Sequence, residues 1–134
     1  MSKLQITGLM GALGVIIGAF GAHGIKPLIT ESAYQNYQTG VLYHFIHTLA
    51  LFGITLLLMH FPENKRLNWA FRAIAAGILL FSGSLYLLAT RDITGLNFLG
   101  WLGPVTPLGG IALIAGWGIL IFSLPKYPKP GKAD

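Results

Sequence analysis

The chain has no cysteine, which rules out disulfides, thiolate metal sites and cysteine nucleophiles. It is also short of charge. Only 10% of its 134 residues are Asp, Glu, Lys or Arg, where an ordinary soluble domain carries roughly 25%. Acids are the scarcest: Glu31, Glu63, Asp92 and Asp134 are all there are, and each lies between or after apolar runs. No paired carboxylates can be assigned, and no acid is placed to orient a Ser–His pair. The HExxH zinc signature is missing. Gly18–Gly24 (GAFGAHG) lacks the Lys-Ser/Thr that would follow in a phosphate loop. The expectation is a protein without an enzymatic reaction and without a cofactor.

Apolar residues are abundant, at 54% of the chain. A soluble protein this small exposes much of its surface and needs polar residues to cover it. The solvent for most of this surface is therefore lipid. Four stretches carry no charge: Leu4–Ile25, Ser32–Pro62, Ala73–Thr90 and Ile93–Pro125. A helix needs about 20 mostly apolar residues to cross a hydrocarbon core of about 30 Å. Spans are expected near Leu4–Ala22, Gly40–His60, Trp69–Ala89 and Pro104–Leu124. The first run has an apolar core too long for a cleaved signal peptide and reads as a retained span. Backbone groups in lipid must bond within their own segment, and there is no train of short alternating strands to close a barrel. The fold class is thus an all-α membrane protein, a four-transmembrane-helix bundle with short loops over residues 1–125. Residues 126–134 form a flexible cytoplasmic tail. Thr30 reads as the N-cap of an interfacial lead-in to the second span, and Phe61–Asn68 as a turn.

The net charge of +5 does not point to nucleic acid, because the basic residues punctuate the apolar runs instead of lining one face. They read as topology signals and as contacts for membrane lipids. Lys3, Lys65, Arg66, Arg72, Lys126, Lys129 and Lys132 fall on one side of a four-span chain, and Lys26 and Arg91 on the other. Positive-inside placement puts both termini in the cytoplasm.

Small residues allow close packing where lipid gives no hydrophobic drive between helices. Gly8, Gly11, Gly14, Gly18 and Gly21 form a stripe on the first span, joined by Gly77 on the third and Gly116 on the fourth. The stripe packs helices within one subunit or builds a homo-oligomer; both readings stand at this point. Pro104, Pro107 and Gly109–Gly110 start or bend the fourth helix.

Polar residues within spans ask for partners. His23, Tyr43, His44, His47, Ser82, Ser84, Tyr86 and Thr106 all fall at similar depth, in the outer half of the bilayer. His44 and His47 are three apart and share a helix face. Three imidazoles suit a transition metal, and two on separate helices suit haem. The same residues also suit a quinone or lipid ligand, or simply bond to one another and to frayed helix ends. His60 lies at the opposite end, outside the group.

Gly18–Gly24, Tyr43–Leu51 (YHFIHTLAL), Leu80–Ala89 (LFSGSLYLLA) and Gly103–Gly110 (GPVTPLGG), in that order, resemble the bacterial inner-membrane family known as domain of unknown function 423. A eukaryotic relative of that family is named transmembrane protein 256. The resemblance spans essentially the whole chain and implies a four-span inner-membrane protein, with no reaction attached. His23 and His47 match the family's two histidine positions, while His44 is a less typical occupant. That counts against a three-histidine metal site and favours a hydrogen-bonded cluster. The function expected is a structural or accessory membrane component, in contact with lipids and with other membrane proteins or further copies of itself. A small-ligand site at the outer cluster and an oligomeric pore or transporter are the alternatives.

Overall fold

A computed structural model of the chain describes residues 1–123. The tail expected from residue 126 lies outside the described residues. Four helices follow one another: α1 (Lys3–Phe20), α2 (Glu31–His60), α3 (Lys65–Thr94) and α4 (Val105–Ile121). Each, with its flanking turns, is long and apolar enough to cross a membrane. The protein is an all-α, four-span bundle, as its apolar runs require.

The helix ends are set by side chains that satisfy the orphan backbone groups of each terminus. Ser2 caps α1 in a reciprocal box with Gln5, the pattern that satisfies two amides at once. Thr30 accepts from the Ala33 amide at the start of α2. With 30 residues, α2 is about 45 Å long at 1.5 Å per residue, so its first turns lie in the interface. The expected lead-in and the span are therefore one helix. The turn after α2 is shorter than the sequence suggests. Asn64 accepts from the amides of Arg66 and Leu67, and α3 is already under way by Lys65. At its far end α3 runs on to Thr94 and stops at Gly95 (φ 71°), a left-handed cap position that glycine fills without strain.

The N-terminal end of α3 also finishes α4. Asn64 Nδ2 donates to the Ser123 carbonyl at 2.8 Å, and Arg66 Nη1 to the Phe122 carbonyl at 2.8 Å. These are carbonyls that a helix C-terminus leaves unpaired. Between α1 and α2 the chain passes through one turn of π-helix, Gly21–Ile25, then a 3₁₀ turn, Lys26–Leu28. A second 3₁₀ segment, Asn97–Leu102, leads into α4.

The core draws on all four helices: Met10 from α1, Leu51 and Ile54 from α2, Leu67, Ile74 and Ile78 from α3, and Leu113 from α4. Small residues decide how closely the helices approach. At Gly109 a methyl group would sit 2.7 Å from the Phe81 Cα and 2.8 Å from the Leu80 carbonyl carbon, so α3 and α4 meet backbone to backbone. Gly77 and Gly116 receive Leu113 and Ile74 in the same interface. On α1, Gly14 and Gly18 lie against Phe45 and Val41 of α2, and Gly21 against the Tyr37 ring; Gly11 is only in ordinary contact with Thr48. Gly14, Gly18 and Gly21 of the stripe on α1 are therefore packed within the chain, while Gly8 meets nothing within 4 Å among the described residues.

Gly109→Ala is expected to lower stability by about 1–3 kcal/mol, the usual cost of overpacking, because backbone cannot move aside as a flexible side chain can. Gly118→Ala, whose added methyl meets nothing within 4 Å, should leave the thermal midpoint in detergent unchanged or raise it. Equal melting of the two variants would show that the α3–α4 approach is looser than described.

Candidate functional site

The polar residues expected at one depth form two linked pairs and leave several members apart. His44, 4% exposed, is the hub. Its Nε2 lies 2.9 Å from the Met10 carbonyl of α1, and its Nδ1 3.2 Å from the Tyr86 hydroxyl of α3. The carbonyl can only accept, so Nε2 carries the proton. Nδ1 is then the lone-pair nitrogen and takes the Tyr86 O–H. One neutral imidazole thus links three helices, with both ring nitrogens committed and no charge buried. The helical Met10 carbonyl has a second lone pair for this bond.

Seven residues earlier on α2, Tyr37 repeats the device. Its hydroxyl donates to the Ile17 carbonyl of α1 at 2.8 Å. Because the helices run antiparallel, the two donors and the two carbonyls are each seven residues apart. The Tyr37 ring passes over Gly21, whose missing side chain makes the space. Deeper along the same helix pair, the Thr7 and Thr55 hydroxyls face each other at 3.4 Å.

The second pair joins α3 to α4. Ser84 Oγ and Thr106 Oγ1 lie 2.6 Å apart, and the Ser84 hydroxyl also reaches the Phe81 carbonyl at 2.9 Å. A hydroxyl has only one proton. If Ser84 gives it to Phe81, Thr106 is the donor in the shared bond.

The remaining expected members do not join. His23 sits on the π-turn, exposed, and has no partner among the described hydrogen bonds. His44 and His47 do not point to a common site either, since three residues on a helix leave them about 60° apart, enough to meet different neighbours. His47 Nδ1 donates to the Tyr43 carbonyl of its own helix at 2.7 Å, and its ring stacks on Tyr43 and meets Trp117 of α4 edge-on, 6.2 Å between centroids. Tyr43 is half-exposed and packs on Phe81 at 4.6 Å. Ser82 Oγ and Thr48 Oγ1 are buried without a hydrogen-bond partner, though Ser82 lies near the Tyr86 phenol one turn along α3. The three-imidazole arrangement is not formed, and among the described residues no three His, Asp or Glu side chains come together.

Sequence reasoning missed Met10, Ile17 and Tyr37. The first two act through backbone carbonyls, which no residue type advertises. Tyr37 was assigned to an interfacial lead-in. A cleft of about 510 Å³ lies near this α1–α2 contact, between Gly18, Gly21 and Phe45 on one side and Tyr34, Gln35 and Gln38 on the other. Neither His44 nor His47 lines it.

Comparison with known proteins returns one consistent picture. The family model described as protein of unknown function (DUF423) matches residues 17–110. The UPF0382 membrane protein YwdK of Bacillus subtilis is 40% identical over 128 residues, covering 95% of this chain and 99% of the relative. A UPF0382 membrane protein of Staphylococcus aureus is 37% identical over 123 residues, covering 89% and 94%. The UPF0382 inner membrane protein YgdD of Escherichia coli is 32% identical over 132 residues, covering 96% and 92%. No solved structure matches the chain.

The Tyr86–His44 bond should be measurable as a coupling. His44→Leu and Tyr86→Phe, alone and combined, are expected to show an interaction energy of about 0.6–1.7 kcal/mol, the range for hydrogen bonds between membrane helices. Unfolding in mixed micelles would read it, and strictly additive effects would remove the link. His23→Ala should stay within about 0.5 kcal/mol of the parent, as a surface change does.

Proposed function

The chain belongs to the DUF423 family, and from that premise we propose that it is a structural or accessory component of the bacterial inner membrane, with both termini in the cytoplasm. It acts through contacts with lipids and other membrane proteins and does not carry out a reaction. The observation that carries this reading is the commitment of His44. The most buried imidazole has both nitrogens bonded to neighbouring helices, so it holds the fold and has no lone pair or proton left for a ligand. The acids support the same reading. Glu31, Glu63 and Asp92 all lie at the helix ends or turns and are exposed, so among the described residues no carboxylate is available within the bilayer for proton or cation relay.

The orientation rests on charge. The end that holds the start of α1, the α2–α3 turn and the end of α4 carries Lys3, Lys65, Arg66 and Arg72 against Glu63. The opposite end carries Lys26 and Arg91 against Glu31 and Asp92, one pair of which, Arg91 and Asp92, lies at 3.6 Å. The excess of Lys and Arg belongs on the cytoplasmic side.

Two measurements test the proposal. Because the chain has no cysteine, single cysteines report cleanly. With Ser2→Cys, an impermeant thiol reagent should fail to label intact cells; with Asn97→Cys it should succeed, and the reverse pattern would invert the orientation. Gently purified protein should carry neither a stoichiometric chromophore nor a stoichiometric metal. Either one, present in the parent and lost in His44→Ala or His47→Ala, would replace the structural reading with a ligand site.

A further inference from the structure

The N-terminal end of α3 carries an arrangement that neither the fold nor the polar cluster uses. Lys65, Asn68, Trp69 and Arg72 lie on one helical face and line a cup of about 220 Å³. Next to it, Arg66, Trp69, Ile119 and Phe122 line a groove of about 390 Å³ between α3 and α4. Trp69, 60% exposed, is the wall common to both. The cup is cationic, and the groove is mostly apolar. A phospholipid has these two characters, joined in the same way.

The cations of the cup are not answered from within the described residues. The one ion pair there joins Arg91 to Asp92 at the other end of the molecule. Arg72 stands seven residues into α3 from Lys65, about 10 Å along the axis, which takes it toward the hydrocarbon. A guanidinium at that depth must reach back to the interface or meet an anion. It lies over the Trp69 ring, 5.4 Å from the centroid, a stacking that holds it on the outer surface of the helix while leaving its donors free. Lys65, one turn below Asn68, presents a second charge to the same space. Arg66 is already spent on the Phe122 carbonyl at 2.8 Å, which fixes the floor of the groove.

We propose that this paired cup and groove bind an anionic phospholipid, with the phosphodiester held between Lys65 and Arg72 and an acyl chain lying along Trp69, Ile119 and Phe122. Basic pockets beside membrane helices recognise anionic headgroups in this way. The assignment goes beyond the structural reading above and holds for either orientation of the chain, so a failed topology test would leave it standing.

The test is native mass spectrometry of the full chain released from nanodiscs of equimolar phosphatidylglycerol and phosphatidylcholine. The parent should retain phosphatidylglycerol in preference. In the double variant Lys65→Gln/Arg72→Gln that preference should fall by about fivefold for each charge removed, the weight of one basic residue at an anionic surface. Lys26→Gln/Arg91→Gln removes as many charges from the opposite end and should leave the preference intact. Arg72→Lys keeps the charge without the planar stack and should retain most of it, which separates loss of binding from loss of fold. Equal retention of the two lipids by the parent would overturn the proposal. So would a preference that survives the Lys65/Arg72 variant, or one lost equally in both double variants.

Discussion

In hydrocarbon a polar group without a partner costs several kcal/mol, and the rest of this structure follows from meeting that cost with partners inside the chain. Helices satisfy the backbone, and what remains is the handful of side-chain donors that the spans carry. Some, such as His47 and Thr90, turn back to carbonyls of their own helix, and others are aimed at carbonyls and hydroxyls of neighbouring helices. His44 bonds to Met10 and Tyr86, Tyr37 to Ile17, and Ser84 to Thr106. A neutral imidazole suits the central position because it donates and accepts at once. A lysine or a carboxylate at the same depth would bring a charge with no counter-charge nearby. Each bond is weak on its own, so their joint effect is to fix register: a helix that slid by one residue would leave every donor facing the wrong carbonyl.

Such bonds demand closeness, and closeness comes from what the helices omit. The two kinds of approach in this bundle differ. Between α3 and α4 the contact at Gly109 is backbone on backbone, a rigid seam. Between α1 and α2 the glycines of α1 receive the side chains of Tyr37, Val41 and Phe45, and two of those positions flank a donor. The glycines at 14 and 21 and the donors at 44 and 37 therefore work together. Gly21 clears the path by which the Tyr37 ring reaches the Ile17 carbonyl, and Gly14 admits Phe45 next to His44. Burial is uneven in the same way. Long stretches of α1 and α4, including Val15, Ile16, Ile111 and Ile114, remain open to lipid, while α2 and α3 together supply most of the core.

The number, place and order of the spans were legible in the sequence because length and apolarity are one-dimensional properties. The helix ends were less so. The residues from Asn64 to Asn68 and those from Thr90 to Thr94 are polar enough to read as loop, yet the interface tolerates polar helix, and α2 and α3 both continue through it. The candidate site was legible in depth but not in azimuth. His23 lies on a π-turn and is exposed, with no partner among the described hydrogen bonds. His44 and His47 share a level and part ways over a rotation of about 60°. The resemblance to a known family favoured His23 and His47 over His44, whereas the geometry makes His44 the hub. The partners that make it so are a carbonyl and a phenol on other helices. A carbonyl belongs to every residue, so nothing in the sequence marks Met10 or Ile17 as different. Gly109 was read as a helix starter for the same reason: a close approach is a property of two segments, and only one of them is visible at a time.

The division of labour that results is between a neutral interior and charged ends. Inside, every committed donor is uncharged, and the bonds it makes are complete within the chain. At the ends the charges are exposed, and at the α3 N-terminus they are mostly of one sign, with Arg66 and Asn64 turned inward to close α4 and Lys65 and Arg72 turned outward. A helix start is a favourable place for negative charge, yet the acid nearest to it, Glu63, lies in the preceding turn and does not pair with either cation within 4 Å. Among the described residues Lys65 and Arg72 therefore form no ion pair, and Arg72 lies deep enough that leaving it unpaired is costly. The interior keeps its bonded donors neutral, whereas this patch presents charge that the described residues do not answer, and the lipid outside it carries the complementary charge.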